Sequence, residues 1–514
     1  MTNFQTILAA FRSWRTLSVT LLSFSSGIPL GLVWFAIPDW MRDIGVDIRI
    51  VGLFNLAQIP WAFKILWSPF MDRYVPGFWG RRRGWMAVTQ VALLVLCLLL
   101  GGAGDHPDAI WVVAAFALAV AIASASQDIV VDAYAVEVLR PEEHGVAVGA
   151  RVALYRAAMV VAGGGAISAA ALFGWGAVNA LLGLLFIPMV LVTWRAPEPE
   201  DRVQPPRTLR DAVWKPFLEA LSRPRAFEIL AFVFFYKFAD NLAQSLTRPF
   251  LIDMGYSAGH RGIALATVGA VATIVGTFVG GMFTTLAGLG PALWIFGALQ
   301  IFSNLGYFFV AGADGSLAWM YGASAFELLT GGLGTGAFSV LLLRITEKRF
   351  SATQYALFSG LFALPRLLAG PFSGFAVDAL GWRTFFLSTM AMGIPGLILL
   401  HRFSPLGVRD PRIRLGTGEE PDAPRLSTGF AGRFAVSGFL GGGTVFAFAT
   451  LLGALKAMRT EPDAGFSLMA GLQPILSPAT FADWVQVAGI FVLGLISGLF
   501  GAAFAAARGG RSPG

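Results

Sequence analysis

The chain has 514 residues, of which 56% are hydrophobic and only 13% are charged. This number of charged side chains is too small to cover the surface of a water-soluble protein of this length. The composition therefore excludes a soluble enzyme and indicates that lipid surrounds the protein. The net charge of +7 could attract nucleic acid, but the basic residues stand in short loops between apolar runs, where they are typical of membrane orientation.

Apolar runs long enough to cross a bilayer recur along nearly the whole chain. A membrane-spanning helix needs about 20 such residues, and it pairs its own backbone groups, which lipid cannot do. The pattern predicts about fourteen spans. They cover residues 16–38, 50–70, 85–104, 110–132, 146–170, 176–194, 226–246, 263–285, 291–311, 317–343, 354–379, 383–401, 431–453 and 483–506. Because most Lys and Arg residues fall in every second loop, we expect both termini in the cytoplasm.

Two polar stretches divide these spans. Residues 196–225, rich in Pro and basic residues, link an N-terminal six-helix half, 1–195, to a C-terminal six-helix half, 226–402. A second linker, 403–430, precedes two additional transmembrane helices within 431–514. The sequence therefore predicts an all-α polytopic membrane protein with two six-helix halves and two extra C-terminal helices.

The two halves carry faint signs of an internal repeat. Arg156 stands midway along the fifth span and Arg366 midway along the eleventh, and Gly-Trp pairs ending at Trp175 and Trp382 close the turns that follow. Paired repeats of this kind are common in transporters, whose substrate sites lie between the repeats. The pattern favours a transporter.

Charged side chains lie inside several predicted spans. Burying a charge in the membrane is costly, so such residues usually face a cavity or a partner and are functional candidates. The positive ones are Lys64, Arg156, Lys237 and Arg366, and the negative ones are Asp128, Asp132, Asp240 and Glu327. Equal numbers of the two signs favour internal pairing.

Two acids share one face of the fourth span. Asp128 and Asp132 are four residues apart, and their mutual repulsion favours a proton on one of them. Asp128 is the preferred proton carrier, because Asp132 stands near the cytoplasmic end of the span, where it could merely anchor a loop arginine.

Two further acids have alternative roles in the second half. Asp240 follows Lys237 by three residues, so the two either neutralise each other or offer a site for protons and substrate. Glu327, near the middle of the tenth span, either carries a proton or holds Arg366 in place. Both acids are candidates for proton coupling.

The loop after the second span combines one acid with a cluster of arginines at the predicted cytoplasmic surface. It is either a solvated basic loop or a gate in which Asp72 accepts hydrogen bonds from the N-terminus of a neighbouring helix. The arginines of this candidate gate are Arg73, Arg81, Arg82 and Arg83. The equivalent turn of the second half, residues 286–290, is uncharged, so we expect a gate in the first half only.

Polar, aromatic and basic side chains at membrane depth are candidates for binding a solute. Aromatic rings can stack on sugar rings, amides match hydroxyl groups, and cations pair with carboxylates. The candidates are Lys64, Gln127, Tyr155, Arg156, Tyr236, Lys237, Asn241 and Arg366. The single cysteine and the four scattered histidines predict neither a disulfide nor a metal site, and we expect no cofactor and no catalytic residue.

Several short motifs along the chain resemble those of one transporter family. They are Phe63-Lys64, Leu66-Trp67-Ser68-Pro69, Met71-Asp72-Arg73-Tyr74, Gly80-Arg81-Arg82-Arg83-Gly84-Trp85, Ser124-Ala125-Ser126-Gln127-Asp128-Ile129-Val130, Tyr236-Lys237 and Phe350-Ser351-Ala352-Thr353-Gln354. The family is the anhydromuropeptide permeases, a branch of the major facilitator superfamily in Gram-negative inner membranes. The first-half gate also resembles the signature loop of that superfamily, although this copy is longer.

The resemblance implies a major facilitator fold and a function. The family imports N-acetylglucosaminyl-1,6-anhydro-N-acetylmuramic acid, with or without a short peptide, by proton symport, for peptidoglycan recycling linked to β-lactam resistance. We therefore expect a monomeric inner-membrane permease whose partners are anhydromuropeptides, protons and lipid, with no nucleic acid. An alternative is the transport of another large anionic solute, such as an acyl coenzyme A. A membrane-embedded transferase is disfavoured, because such enzymes cluster acids or histidines near one surface.

Overall fold

The fold is taken from a computed structural model. It describes residues 9–10, 12–46, 57–103, 110–199, 204–222, 226–313, 315–411 and 465–480, and isolated positions between 436 and 498. Within these residues the regular structure is helical and contains no strand. The predicted all-α class is confirmed for this part of the chain.

Twelve helical segments form the bundle, which we number α1 to α12. They are α1 (Trp14–Asp43), α2 (Ile59–Phe63, Lys64–Leu66 and Ser68–Arg73), α3 (Arg81–Gly101), α4 (Ile110–Val138), α5 (His144–Phe173), α6 (Trp175–Arg195), α7 (Ala226–Phe235 and Phe238–Asp253), α8 (Ala258–Ala287), α9 (Leu289–Val310), α10 (Leu317–Ile345), α11 (351–380) and α12 (382–403). The last two form one run, Ser351–Phe403, interrupted only at Gly381, where φ is 73°. A residue without a Cβ adopts this left-handed conformation without strain.

Nine helices within the described residues are long and apolar enough to cross a membrane. The predicted second and seventh spans differ from expectation, because α2 and α7 are each divided into shorter pieces. The predicted total of about fourteen spans is not established. Described positions between 436 and 458 and between 483 and 498, in the last two predicted spans, are helical.

Two predicted loops contain helices. The linker 196–225 includes the helix Leu209–Ser222, whose start is capped by Thr208: the Asp211 N–H donates to the Thr208 hydroxyl at 3.0 Å, and that hydroxyl donates to the Asp211 carboxylate at 2.8 Å. This reciprocal arrangement is a helix-start signal that the Pro-rich composition concealed. The second helix, Leu468–Leu476, lies between the last two predicted spans.

Contacts along the chain divide it into two units. The first comprises Met1–Ala212 and Phe227–Leu415 and contains the whole bundle except the first residue of α7. The second comprises Val213–Ala226 and Gly416–Gly514. Within the second unit, Gly471 lies directly against the backbone of Thr450, where a Cβ would collide with the carbonyl oxygen.

The internal repeat has a structural counterpart at the ends of α1 and α7. The Trp175 indole N–H donates to the Asp43 carboxylate at 3.0 Å, and the Trp382 indole N–H donates to the Asp253 carboxylate at 3.1 Å. Asp43 is the last residue of α1, and Asp253 is the last residue of α7. Both halves therefore fasten the same corner with the same pair of groups.

Glycines bring three helices into close contact. At Gly276 and Gly280 of α8 a Cβ would collide with backbone carbonyls of α10. At Gly281 it would lie 2.5 Å from the Gly145 carbonyl oxygen of α5. Small residues at such crossings allow helix backbones to approach closely. Helix α8 therefore packs tightly on α10 of its own half and on α5 of the other half.

Candidate functional site

Asp72 joins the two halves at the end of the bundle that carries the α2–α3 loop, which we call the latch end. Ser68-Pro69 opens the last piece of α2, where a proline is compatible with a helix start, and Asp72 follows within one turn. The carboxylate accepts hydrogen bonds from the Thr353 N–H at 2.8 Å, the Thr353 hydroxyl at 2.7 Å and the Ala352 N–H at 3.3 Å. A carboxylate at a helix N-terminus also interacts favourably with the helix dipole.

Arg82 lies at the centre of the latch, with only 1% of its side chain exposed. Its guanidinium donates to Asp72 at 2.6 Å, to Glu137 at 2.8 Å and to the Ser351 hydroxyl at 2.7 Å. The Ser351 hydroxyl in turn donates to Glu137 at 2.5 Å. A buried cation is thus balanced by two carboxylates, one from α2 and one from α4. Sequence analysis missed Glu137, because it ended the fourth span at 132, whereas α4 continues to Val138.

The other arginines of the candidate gate separate into two groups. Arg81 donates to Glu137 at 2.6 Å and to the Lys348 carbonyl at 3.3 Å, so it also reaches the second half. Arg83 instead binds Glu198 of the linker at 2.5 Å, and Arg73 lies 5.5 Å from the Tyr74 ring centroid. Only Arg81 and Arg82 of this set are placed at the contact between halves.

The second half fastens its uncharged turn with an acid from elsewhere. Asp410, beyond the end of α12, accepts hydrogen bonds from the Leu289 N–H at 3.2 Å and from the Arg344 guanidinium at 2.5 Å. Partial burial alone raises the pKa of Asp410, but the hydrogen bonds from Arg344 and Leu289 outweigh it and hold the pKa below its usual value. Asp410 lies 120 positions from the turn, so only the fold could reveal this contact.

A second charged group lies in the first half. Asp132 of α4 pairs with Arg151 of α5 and with Lys64 of α2, whose Nζ lies 3.4 Å from the carboxylate. Arg151 escaped sequence analysis, although its position inside the predicted fifth span was a signal. Asp128, one turn before Asp132, is half-buried and close to the same two cations.

The first-half solute candidates have different surroundings. Tyr155 and Arg156 of α5 are half-buried, and Tyr155 lies close to Asp128 and Asp132. Gln127 is fully buried and donates to the Ser25 hydroxyl of α1 at 2.5 Å, so its amide holds two helices together. We refer to Lys64, Asp128, Asp132, Arg151 and Arg156 as the first-half cluster.

Helix α7 breaks at Tyr236 and Lys237, near the middle of its predicted span. The Lys237 ammonium donates to Asp240 at 2.9 Å and to the Gly331 carbonyl of α10 at 2.8 Å. The Tyr236 hydroxyl donates to the Leu293 carbonyl at 2.9 Å, and its ring stacks on Phe338, so this tyrosine is a packing residue. Asn241 is buried beside the break.

Glu327 of α10 is 1% exposed and accepts a hydrogen bond from the Tyr307 hydroxyl at 3.4 Å. Its other carboxylate oxygen, Oε1, is buried without a hydrogen-bond partner, and so is Oδ1 of Asp240. The predicted pairing with Arg366 stays a prediction, because that side chain lies outside the described residues. In the part of the chain that is described, no three His, Cys, Asp or Glu side chains group to hold a metal ion.

Known proteins decide the family. A model described as Major Facilitator Superfamily matches residues 19–370. The anhydromuropeptide permease of Escherichia coli (strain K12) is 43% identical over 395 residues, which cover 76% of this chain and 80% of that protein. This chain belongs to the anhydromuropeptide permease family of the major facilitator superfamily. An uncharacterized protein of Haemophilus influenzae is 34% identical over 74% of this chain and 93% of its own length.

A solved structure agrees with the family at the level of fold. A proton:xylose symporter of the major facilitator superfamily, bound to 6-bromo-6-deoxy-D-glucose, is similar with a TM-score of 0.57 over 76% of this chain and 96% of that chain. Its sequence identity of 11% limits the likeness to the fold. The chain is thus a multi-pass membrane protein with the transporter fold of its family, as the motifs predicted.

Proposed function

We propose that this protein is a permease that imports anhydromuropeptides across the bacterial inner membrane for peptidoglycan recycling. The observation that carries the proposal is the 43% identity to the Escherichia coli anhydromuropeptide permease over 76% of this chain and 80% of that protein. Since a shared fold does not fix a substrate, the proposal also requires a site that suits one. The first-half cluster is our candidate.

The first-half cluster holds basic side chains beside acids at membrane depth. Lys64 of α2 and Arg151 of α5 lie beside Asp128 and Asp132 of α4. Arg156 of α5 follows Tyr155, which lies close to the same acids. Anhydromuropeptides carry carboxylates on the muramic acid or on its peptide, so they suit a site with basic side chains. We assign substrate binding to this cluster, with Tyr155 as a ring that can stack on a sugar.

We propose that the latch is the cytoplasmic gate and that both termini lie in the cytoplasm. Asp72 and Arg82 bind the start of α11, so these bonds must break before the halves can separate at this end. Release of substrate into the cytoplasm requires that separation. The latched structure corresponds to the state that is closed to the cytoplasm.

We propose that a proton gradient drives the import and that the protein works as a monomer. An anion with a carboxylate moves against the negative interior potential, and a co-transported proton offsets its charge. The candidate acids are Asp128, Asp240 and Glu327. The break in α7 beside Asp240 supports a role for the second half, because discontinuous helices in transporters are common at binding sites.

The test is uptake into proteoliposomes that contain the purified protein. Labelled disaccharide anhydromuropeptide should accumulate when the outside is acidified, and unlabelled anhydromuropeptide should compete while an acyl coenzyme A should not. Arg402→Gln is a matched control, since this arginine lies outside the latch and the first-half cluster and 63% of its side chain is exposed. If acyl coenzyme A competes with the labelled substrate and unlabelled anhydromuropeptide does not, the alternative substrate is favoured over the proposed one.

A further inference from the structure

Three buried ionisable side chains meet where α7 is broken. Lys237 and Asp240 belong to α7 and Glu327 to α10, and their exposures are 3%, 4% and 1%. Glu327 lies close to both α7 residues. Among the described side chains, two acids therefore face one cation here. We call these three residues the second-half cluster.

The neighbouring helices supply no second cation among the described side chains. Helix α9 has no charged residue and contributes the Tyr307 hydroxyl, and α8 has charged or titratable residues only at His260 and Arg261 in its first turn. Helix α7 adds the neutral Gln244 beside Glu327. On α11, the Arg366 and Asp378 side chains lie outside the described residues.

The excess of negative charge coincides with missing hydrogen bonds. Glu327 Oε1 and Asp240 Oδ1 are both buried without a partner. An ionised carboxylate left in this state is costly, whereas a proton removes the charge and turns the acid into a hydrogen-bond donor. Asp240 already has the Lys237 ammonium at 2.9 Å, while the groups beside Glu327 are neutral, the Tyr307 hydroxyl at 3.4 Å and the Gln244 amide. Glu327 is the acid with the greater need of a proton.

Lys237 is placed to respond when that proton leaves. Its ammonium binds the Gly331 carbonyl at 2.8 Å, and Gly331 follows Glu327 by four residues on α10. Residues four apart lie on the same helix face, separated by about one turn of 5.4 Å. Lys237 also stands in the broken part of α7, where φ of −104° and ψ of 4° depart from the helix. The ammonium therefore lies about one helix turn from Glu327, at the point where α7 departs from the helix.

Resting on the proposed function, we infer that Glu327 carries the transported proton and that Lys237 is its replacement partner. Glu327 accepts the proton from the outer side and is neutral when substrate binds. When the proton passes to cytoplasmic water, the Lys237 ammonium moves from the Gly331 carbonyl to the new carboxylate, and the break in α7 moves with it. Lys237 is thus a positioning residue, and substrate binding is left to the first-half cluster.

Glu327 therefore replaces Asp128 as the preferred proton carrier. Asp128 lies close to Lys64 and Arg151, two cations that stabilise its ionised form. Asp128 and Asp132 share these two cations, whereas Glu327 and Asp240 share only Lys237 among the described side chains. The two halves therefore divide the work: the first attracts the anion, and the second carries the proton.

Two measurements on Glu327→Gln in proteoliposomes test the inference. Exchange of labelled for unlabelled anhydromuropeptide needs no gradient and should persist, because the neutral amide resembles the protonated acid. Accumulation driven by outside acidification, and the proton influx reported by an internal pH dye, should fall to the level of protein-free liposomes. Glu327→Asp should restore part of the proton influx. Glu198→Gln removes an exposed acid outside both clusters and should leave the protons carried per substrate unchanged.

Other outcomes contradict the inference. If Glu327→Gln still accumulates substrate with the proton gradient, Glu327 is not the carrier. If Glu327→Gln loses exchange as well as accumulation but still binds anhydromuropeptide, Glu327 is needed for the movement of substrate and not only for the proton. If Glu327→Gln does not fold, the pH dependence of uptake by Glu327→Asp decides: a carrier acid with a shorter side chain should shift the pH profile, and an unchanged profile rejects the role. If a sodium gradient drives substrate accumulation in place of the proton gradient, the transported ion is not a proton. Absence of exchange in the wild type would instead reject the proposed substrate.

Lys237 has its own test. Lys237→Gln should lose gradient-driven accumulation while keeping exchange, because the deprotonated carrier has no replacement partner. If the two residues act as one unit, the double variant Lys237→Gln/Glu327→Gln should be no worse than either single variant. If the loss of exchange or of binding in the double variant equals the product of the losses in the two single variants, the residues have independent roles and the partnership is rejected.

Discussion

Thr353, the third residue of α11, donates two hydrogen bonds to Asp72 of α2, one from its N–H at 2.8 Å and one from its hydroxyl at 2.7 Å. The two residues belong to different halves of the bundle, and Asp72 is fully buried. This contact joins the halves at the latch end by groups whose geometry depends on the carboxylate charge. It gives the proposed gate a specific point at which it can be broken.

Asp72→Asn should weaken this gate. A hydrogen bond to a charged group contributes about 1.5–3 kcal/mol, so loss of the charge should shift the equilibrium roughly tenfold towards the open latch. Cys97 is the single cysteine of the chain, so Cys97→Ser gives a protein without thiols. Ala356→Cys on α11 then introduces one thiol, whose labelling measures how accessible this position is from the latch end. Labelling by a membrane-impermeant maleimide should rise by about the same factor. Glu198→Gln, an exposed acid bound to Arg83, is the control, and equal labelling in both variants would refute the gate.

Gly281→Ala should destabilise the contact between α5 and α8. The new methyl group would lie 2.5 Å from the Gly145 carbonyl oxygen, closer than real contacts allow. Overpacking of this kind costs about 1–3 kcal/mol. The thermal unfolding temperature in detergent should therefore fall. Gly322→Ala on α10, where no heavy atom lies within 4 Å of the added carbon, is the matched control and should unfold like the wild type.

Arg151→Gln should lower both stability and uptake. It leaves Asp132 with Lys64 alone, and removing one member of a buried ion pair costs about 3–5 kcal/mol, here nearer the lower value because Lys64 remains. The double variant Arg151→Gln/Asp132→Asn should unfold nearer the wild-type temperature, yet still take up peptide-bearing anhydromuropeptide poorly. Recovery of uptake together with stability would assign Arg151 a structural role only.

Asp410→Asn should loosen the turn between α8 and α9. The pKa of Asp410 is held below its usual value, so its contribution is present above about pH 4 and is lost as the pH falls through the lowered pKa. At neutral pH the variant should exchange the Leu289 amide hydrogen faster than the wild type, as measured by mass spectrometry of the peptide around residue 289. The effect should be small, because 47% of the Asp410 side chain is exposed. Unchanged exchange would mean that Asp410 does not hold this turn.

The sequence by itself determined the membrane environment, the helical class, the family and several individual acids. Hydropathy is a local property, so runs of about 20 apolar residues reveal spans without knowledge of the partner helices. Charged residues inside such runs are equally visible, which is why Asp128, Asp240 and Glu327 were candidates from the start, while Asp72 was a candidate from its place in a loop rich in arginine. The motifs around Lys64 and Asp72 indicated the family that the comparisons establish.

Only the tertiary structure decided which of these residues meet. Glu137, Arg151 and Asp410 were missed because their importance comes from partners on other helices, at separations that no local pattern encodes. Gln127 and Tyr236 were themselves predicted to bind a solute, and only the fold reveals that their side chains hydrogen-bond to other helices. The break in α7 and the close approach of α5 and α8 likewise depend on contacts made after the helices assemble. Local composition fixes what a residue can do, and its neighbours in space fix what it does.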